Sequence, residues 1–156
     1  AVQNIEYMTG KNVIKGYDDG TFRPDNSITR AEFAALVRRY IKLDLASDPP
    51  SFPDVSPSSW YNTEVEALYR AGYINGYEDG TFRPEQPITR AEAMSIINKV
   101  LKRNPDEEYV KSLGLNPYND LEESKWYYVT VLEATIDHYY VFGESGFEDY
   151  WKESEN

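Results

Sequence analysis

An internal repeat is the feature of this sequence that most restricts its fold. Residues 16–32 read GYDDGTFRPDNSITRAE and residues 76–92 read GYEDGTFRPEQPITRAE, so 13 of 17 positions are identical at an offset of 60 residues. Self-similarity at a fixed period is typical of chains that stack copies of one supersecondary unit. The chain therefore holds at least two copies of one loop-and-helix unit.

A second correspondence extends the repeat towards the C-terminus. Residues 52–73 (FPDVSPSSWYNTEVEALYRAGY) and 118–139 (YNDLEESKWYYVTVLEATIDHY) share an aromatic-x-Asp segment, then Trp-Tyr, then an apolar pattern at helical spacing. The offset between this pair is 66 residues. A third unit is therefore present, although it is less similar to the other two.

The two correspondences divide the chain into three repeats, at residues 1–43, 52–103 and 118–156. The first repeat lacks its beginning and the third lacks its end. At this length we expect one compact domain over residues 1–156. Each repeat is predicted to form helix, loop, helix, so the fold class is mainly α.

The sequence T-R-A-E at residues 29–32 and 89–92 predicts two helix starts. The Thr hydroxyl of such a capping box accepts from the N3 amide, and the Glu reaches back to the Thr amide. We expect helices near 31–42 and 91–102. Their predicted core stripes consist of Phe33, Leu36, Val37, Tyr40 and Ile41, and of Ala93, Ile96, Ile97, Val100 and Leu101.

The segments around these helices are predicted with less detail. Apolar positions at helical spacing follow Trp60, and Gly72 suits the left-handed residue that closes a helix. Phe22 and Phe82 are expected to anchor their loops in the core. Residues 105–114 are predicted to form a short extra helix outside the repeats.

Composition and charge exclude several classes of protein. The net charge is −11, and residues 104–156 hold 3 basic and 13 acidic side chains against 13 and 14 in residues 1–103. No basic face for nucleic acid is visible. Cysteine is absent, which excludes disulfides and thiol chemistry. We expect neither a membrane span nor a signal peptide, because no apolar run of about 18 residues occurs and no positively charged start is followed by an apolar stretch.

The arginine at the first helical position, Arg30 and Arg90, is unusual. A cation there opposes the helix dipole, whereas an anionic ligand would meet the guanidinium, the free amides and the positive helix end together. The alternative is pairing within the chain, with the acidic residues of the motif and loop: Glu32, Glu92, Asp19 and Asp79. The residues alone favour neither interpretation.

Residues 52–92 carry the whole pattern F-x-D-V, W, G-Y-I-x-G-Y-x-D-G-T-F-x-P, I-T-R-A-E. In this the chain resembles the S-layer homology domain, over nearly its whole length. The resemblance implies three repeats about a pseudo-threefold axis, with a central helical bundle and grooves between neighbouring repeats. It also implies binding of a secondary cell-wall polysaccharide, often one with pyruvate ketals, on Gram-positive bacteria.

The resemblance carries the ligand-binding role to the arginines of the T-R-A-E motifs. The first repeat lacks the aromatic-x-Asp segment and Trp, and the third lacks the G-Y-x-D-G-T-F loop and T-R-A-E, so only two grooves can be assembled. These grooves combine Arg30 with Asp54 and Trp60, and Arg90 with Asp120 and Trp126.

Other candidate residues keep two interpretations each. Tyr17 and Tyr77 either stack on sugar rings or pack beside the following helix. Asp54 and Asp120 more often cap a turn than touch sugar. The tryptophans anchor the loop on the helix and leave an edge for ligand. His138, the only histidine, is expected to be a surface or packing residue.

Two catalytic or metal-binding classes are set aside. A glycosidase needs a carboxylate pair across a cleft, and the capping box already explains the recurrence of Glu32 and Glu92, which stay in the predicted carbohydrate site. An EF-hand is excluded because Lys15 and Asn75 stand at the first ligand position. We therefore expect no enzyme activity, no cofactor and no metal.

The sequence predicts a non-catalytic anchoring module of a larger exported protein. Its expected partner is an acidic cell-wall polysaccharide, its location is the extracellular surface of a Gram-positive bacterium, and neither nucleic acid nor membrane insertion is involved. The alternative is a protein–protein interaction or adhesion module. In the acidic C-terminal segment, Phe147, Tyr150 and Trp151 are expected to cover apolar surface without binding glycan.

Overall fold

The chain is described by a computed structural model that covers residues 2–142 and 148–152. It is mainly helical, as predicted. Helices and strands of the described residues follow in chain order: α1 (Val2–Gly10), α2 (Arg30–Ile41), α3 (Asn62–Arg70), α4 (Arg90–Val100), α5 (Glu107–Ser112), α6 (Tyr128–Thr135), β1 (Tyr139–Phe142) and β2 (Glu148–Lys152).

The chain divides into two compact units, Ala1–Ile88 and Thr89–Asn156. The first holds α1 to α3 with the loop of the second repeat, and the second holds the remaining elements. The single domain and its pseudo-threefold axis stay predictions. No helix in the described part of the chain is long and apolar enough to cross a membrane.

Both predicted helix starts are confirmed. Thr29 Oγ1 accepts from the Glu32 amide at 3.2 Å, and the Glu32 carboxylate accepts from the Thr29 amide at 2.8 Å. The corresponding distances at the start of α4 are also 3.2 and 2.8 Å. The capping box is therefore the same local structure in both repeats, and the predicted helices 31–42 and 91–102 lie within two residues of α2 and α4.

The first unit has its core between α2 and α3. Val65 and Leu68 of α3 are fully buried, as their spacing predicts, and Gly72 closes that helix with φ +78°. An ion pair between Arg38 and Glu64 joins the two helices. This packing holds the start of α2 and the segment after α3 in one compact unit.

Several predicted core residues lie elsewhere. Tyr40, Ile97 and Leu101 are 56%, 42% and 46% exposed, so their assignment to the core is wrong. In α2 the small residues Ala31, Ala34 and Ala35 are buried instead. Periodicity indicates which face of a helix is apolar, but the packing of other segments decides how much of that face is covered.

The two loop phenylalanines also differ. Phe82 is 2% exposed and its ring lies 5.4 Å from that of Phe52, which confirms it as a core residue. Phe22 is 40% exposed, so that prediction is wrong. The reason is positional, because the 60-residue offset places no counterpart of Phe52 within this sequence.

The second unit packs α5 and α6 around Val110, Leu121, Tyr128 and Leu132. α5 confirms the predicted helix within residues 105–114. His138 is a packing residue: its imidazole lies 3.3 Å from the Glu133 carboxylate and 2.8 Å from the Ile136 carbonyl oxygen.

An antiparallel hairpin, which was not predicted from the sequence, follows α6. β1 pairs with β2, with Tyr139 opposite Lys152 and an irregularity between Val141 and Phe142. The prediction that Phe147, Tyr150 and Trp151 cover apolar surface lies outside the described residues. The structure does not describe Phe147, and it describes only the backbone of β2.

Candidate anion-binding site

A loop after α3, held by internal hydrogen bonds, forms one wall of the candidate site. The Asp79 carboxylate accepts from the amide and hydroxyl of Thr81 at 3.0 and 2.6 Å and from Arg83 at 2.9 Å. The hydrogen bonds from Thr81, followed by that from Arg83, hold the pKa of Asp79 well below its usual range. A Cβ at Gly76 would lie 2.5 Å from the Phe52 ring and 2.8 Å from the Thr81 carbonyl oxygen. Because a Cβ would be too close to both groups, only glycine fits at position 76.

Asp54 supports this loop by accepting hydrogen bonds from its backbone. Its carboxylate accepts from the backbone amides of Phe82 at 2.9 Å and Arg83 at 2.7 Å. Of the two roles open to this residue, the structure shows the capping contacts. Asp54 therefore shapes the loop on which the predicted arginine lies.

Arg30, from the previous repeat, lies on this loop. The residue is 7% exposed, its Nε donates to the Phe82 carbonyl oxygen at 2.8 Å, and its Nη2 lies 3.5 Å from the Asn75 carbonyl oxygen. Its guanidinium carbon is 4.6 Å from the Tyr77 ring centroid and 4.8 Å from that of Phe82. Arg30 and Asp54 thus meet on the same residue, Phe82, with one bonded to its carbonyl and the other to its amide.

The amides at the start of α2 are not free, which corrects one expectation. The Arg30 amide donates to the Gln86 carbonyl oxygen at 2.9 Å, and the Ala31 amide to that of Pro84 at 3.0 Å. The next two helix amides bond to Thr29. The loop returns antiparallel to residue 29 and fills the helix end. An anion at this site would therefore meet the guanidinium rather than the helix amides.

The aromatic candidates have distinct surroundings. Trp60 is 58% exposed and lies edge-on to Tyr61 with ring centroids 5.3 Å apart. The Tyr77 hydroxyl accepts from the Gln86 side chain at 3.2 Å. The Tyr17 hydroxyl instead donates to Glu32 at 3.0 Å, and this hydrogen bond raises the pKa of Tyr17. Tyr17 and Tyr77, although equivalent in sequence, thus bond to different elements.

The start of α4 presents the same residue types in a more open setting. Arg90 and Asp120 are exposed, and neither side chain has a hydrogen bond or ion pair among the residues that the structure describes. Trp126 is 64% exposed and lies edge-on to Tyr127 at 5.5 Å. The tryptophan geometry is therefore repeated, whereas the arginine environment is not.

Sequence reasoning missed two residues that contact the first candidate site, Arg83 and Gln86. Arg83 lies 3.9 Å over the Tyr77 ring, and Gln86 contacts both the Tyr77 hydroxyl and the Arg30 amide. A signal for Arg83 was present, because its counterpart Arg23 stands in the same loop of the first repeat.

Arg30 lies on the loop of the second repeat, and Asp54 supports that loop. The sequence around both residues is similar to known proteins. The sequence model of the S-layer homology domain family matches residues 1–34 and 51–94, half of the chain. The chain belongs to the S-layer homology domain family. The matched ranges contain both T-R-A-E motifs and the loop that carries Arg30.

Three proteins similar to this S-layer homology domain are named for anchoring or for the cell surface. It is 37% identical to the cellulosome-anchoring protein of Acetivibrio thermocellus over 92% of this chain and 32% of that protein. It is 35% identical to cell surface glycoprotein 1 of the same organism, over 88% of this chain and 6% of that protein. It is 32% identical to the S-layer protein sap of Bacillus anthracis, over 80% of this chain and 15% of that protein. The chain thus spans a third or less of these relatives.

Proposed function

We propose that this S-layer homology domain anchors a larger exported protein by binding an anionic cell-wall polysaccharide, without catalysis. Family membership and the named surface relatives indicate the coarser function, anchoring at the surface of Gram-positive bacteria. The acidic nature of the glycan and the residues that bind it are the proposed part.

The observation that carries the proposal is the placement of Arg30. A guanidinium held by carbonyl oxygens and two aromatic rings is fixed before any ligand arrives. A preorganised donor loses little conformational entropy on binding. Its planar fork suits a carboxylate such as that of a pyruvate ketal. Trp60 supplies an exposed aromatic surface in the same unit.

Arg90 is the centre of a second, weaker site in this proposal. The arginine, Asp120 and Trp126 repeat the chemistry of the first groove. Among the described residues, however, no loop fixes the Arg90 side chain. Binding there must order a long flexible side chain, which costs about 0.5–1.5 kcal/mol.

The proposal is tested by calorimetry with fragments of a pyruvylated Gram-positive wall polysaccharide, with and without mild acid treatment that removes the ketals. A charge-assisted hydrogen bond contributes about 1.5–3 kcal/mol, so Arg30→Ala should weaken binding about tenfold or more. Arg30→Lys should restore part of the loss, because it keeps the charge and loses the fork. Arg90→Ala should have the smaller effect.

Lys15→Ala is the matched control, since it removes one exposed positive charge of the same unit outside the site. Wild-type affinity in the Arg30→Ala, Arg90→Ala double variant would contradict the proposal. Binding that is indifferent to removal of the ketals would favour the alternative, a protein-interaction or adhesion module.

A further inference from the structure

A second arginine, Arg83, is held in the loop by contacts that recur in the first repeat. Arg83 Nη2 lies 2.9 Å from the Asp79 carboxylate, and its Nε donates to the Thr81 hydroxyl at 3.3 Å. The corresponding distances for Arg23 are 2.7 and 3.0 Å. The loop therefore positions this side chain by itself, whether or not another repeat lies against it.

This arginine also adopts a costly backbone conformation. Arg83 has φ +57° and Arg23 has φ +56°, in the left-handed region that a residue with a Cβ rarely occupies. Glycine or asparagine would relieve the cost at this position. A strained residue that is retained in two copies of a loop is a reason to look for a use of its side chain.

Arg83 and Arg30 lie against the same aromatic ring. The two guanidinium carbons are 3.9 and 4.6 Å from the Tyr77 centroid. They differ in access, because the Arg83 side chain is 43% exposed whereas Arg30 is 7% exposed. Arg83 is thus the solvent-facing member of the cluster that holds Arg30.

The chemistry of Arg83 suits neutral oxygens more than a second anion. Its charge is paired with Asp79, but a guanidinium has five N–H donors, and the Asp79 and Thr81 contacts engage Nε and Nη2. Among the described residues the Arg83 side chain makes no other hydrogen bond, and it is 43% exposed. Hydroxyl and acetamido oxygens of a sugar ring are acceptors of the matching kind.

We propose that Arg83 is a second glycan-contacting residue, which donates hydrogen bonds to neutral oxygens of the sugar whose acidic group meets Arg30. This inference rests on the proposed function and adds a specificity residue to the same site. Arg23, in a loop with the same internal contacts but with Tyr17 bonded to Glu32, has no such role.

The test measures affinity for the pyruvylated wall fragments at several salt concentrations, for the wild type and for Arg83→Ala, Arg83→Gln, Arg23→Ala and Arg30→Ala. We expect Arg83→Ala to weaken binding about three- to tenfold, as the loss of one or two neutral-acceptor hydrogen bonds would. The salt dependence should fall less than in Arg30→Ala, because the charge of Arg83 is already paired with Asp79 in the free protein. Arg30→Ala should reduce both affinity and salt dependence, and Arg23→Ala should change neither.

Several results would overturn the inference. If Arg83→Ala and Arg83→Gln bind as Arg23→Ala does, Arg83 makes no contact. If they reduce the salt dependence as much as Arg30→Ala does, Arg83 is an anion contact instead. Thermal unfolding of the matched Arg23→Ala and Arg83→Ala variants separates loss of loop stability from loss of a ligand contact. Both variants lose the same arginine–aspartate ion pair within the loop. Absence of binding by the wild type would refute the proposed function and this inference with it, whereas loss in Arg30→Ala alone would refute only the inference.

Discussion

The starts of α2 and α4 have the same sequence motif and different surroundings. Both carry I-T-R-A-E and the same capping-box distances. At α2 a loop of the next repeat bonds the first two helix amides and buries Arg30, whereas Arg90 is exposed. The motif therefore forms the cap, and the neighbouring repeat forms the surroundings of the arginine.

The same contrast separates the two loops. Each has an Asp–Thr–Arg clip with nearly equal distances. Only the second loop has Phe52 and Asp54 beneath it, and only its phenylalanine is buried. Local contacts shape the loop, but packing from another segment decides what it contributes to stability.

The largest expected effect is the loss of the Phe82 ring. Phe82→Ala should destabilise the first unit by about 3–5 kcal/mol, because it empties a core site. Phe22→Ala should cost about 0.5 kcal/mol, as other surface substitutions do. Differential scanning calorimetry of the two variants measures this difference. Equal costs would show that the first loop has a packing partner after all.

A smaller effect is expected from the arginines in the absence of glycan. Arg30→Ala leaves the Phe82 and Asn75 carbonyl oxygens without a donor, at a cost of about 1–3 kcal/mol for a buried group. Arg90→Ala should change stability by about 0.5 kcal/mol or less. Urea unfolding followed by circular dichroism provides the comparison.

Arg30→Met is the control for the arginine pair, because it keeps an apolar stem against the Tyr77 and Phe82 rings. It should be destabilised through the lost hydrogen bonds, with less loss of packing than in Arg30→Ala. A cost for Arg90→Ala equal to that for Arg30→Ala would remove the contrast between the two helix starts.

The sequence predicted the parts of this fold that depend on local rules. Capping boxes, the left-handed Gly72 and the burial of Val65 and Leu68 each follow from a short stretch of chain. The extra helix α5 is also local, with Asp106 as its N-cap. Such features need no knowledge of the neighbouring segments.

Features that depend on distant segments were predicted less well. Periodicity assigned Tyr40 to the core, but only tertiary packing decides how far a helix face stays covered. Nothing in T-R-A-E indicates that the carbonyl oxygens of Pro84 and Gln86 occupy the α2 amides. The aromatic run of residues 139–142 favours a strand, but the repeat pattern predicts only helices and loops.

The smallest expected difference concerns the caps themselves. Thr29→Ala and Thr89→Ala each remove the hydroxyl that accepts from a glutamate amide at 3.2 Å. Loss of a Thr cap costs about 1 kcal/mol, so both variants should lose about that much and agree within about 0.5 kcal/mol. Thr→Ser at either position keeps the acceptor and should restore most of the stability. Denaturant titration of the four variants measures the costs. A Thr29→Ala cost well above that of Thr89→Ala would mean that the loop bound at α2 depends on the cap side chain. The observed loop contacts there use the backbone of residues 28–31 and the Arg30 side chain, and none uses the Thr29 hydroxyl.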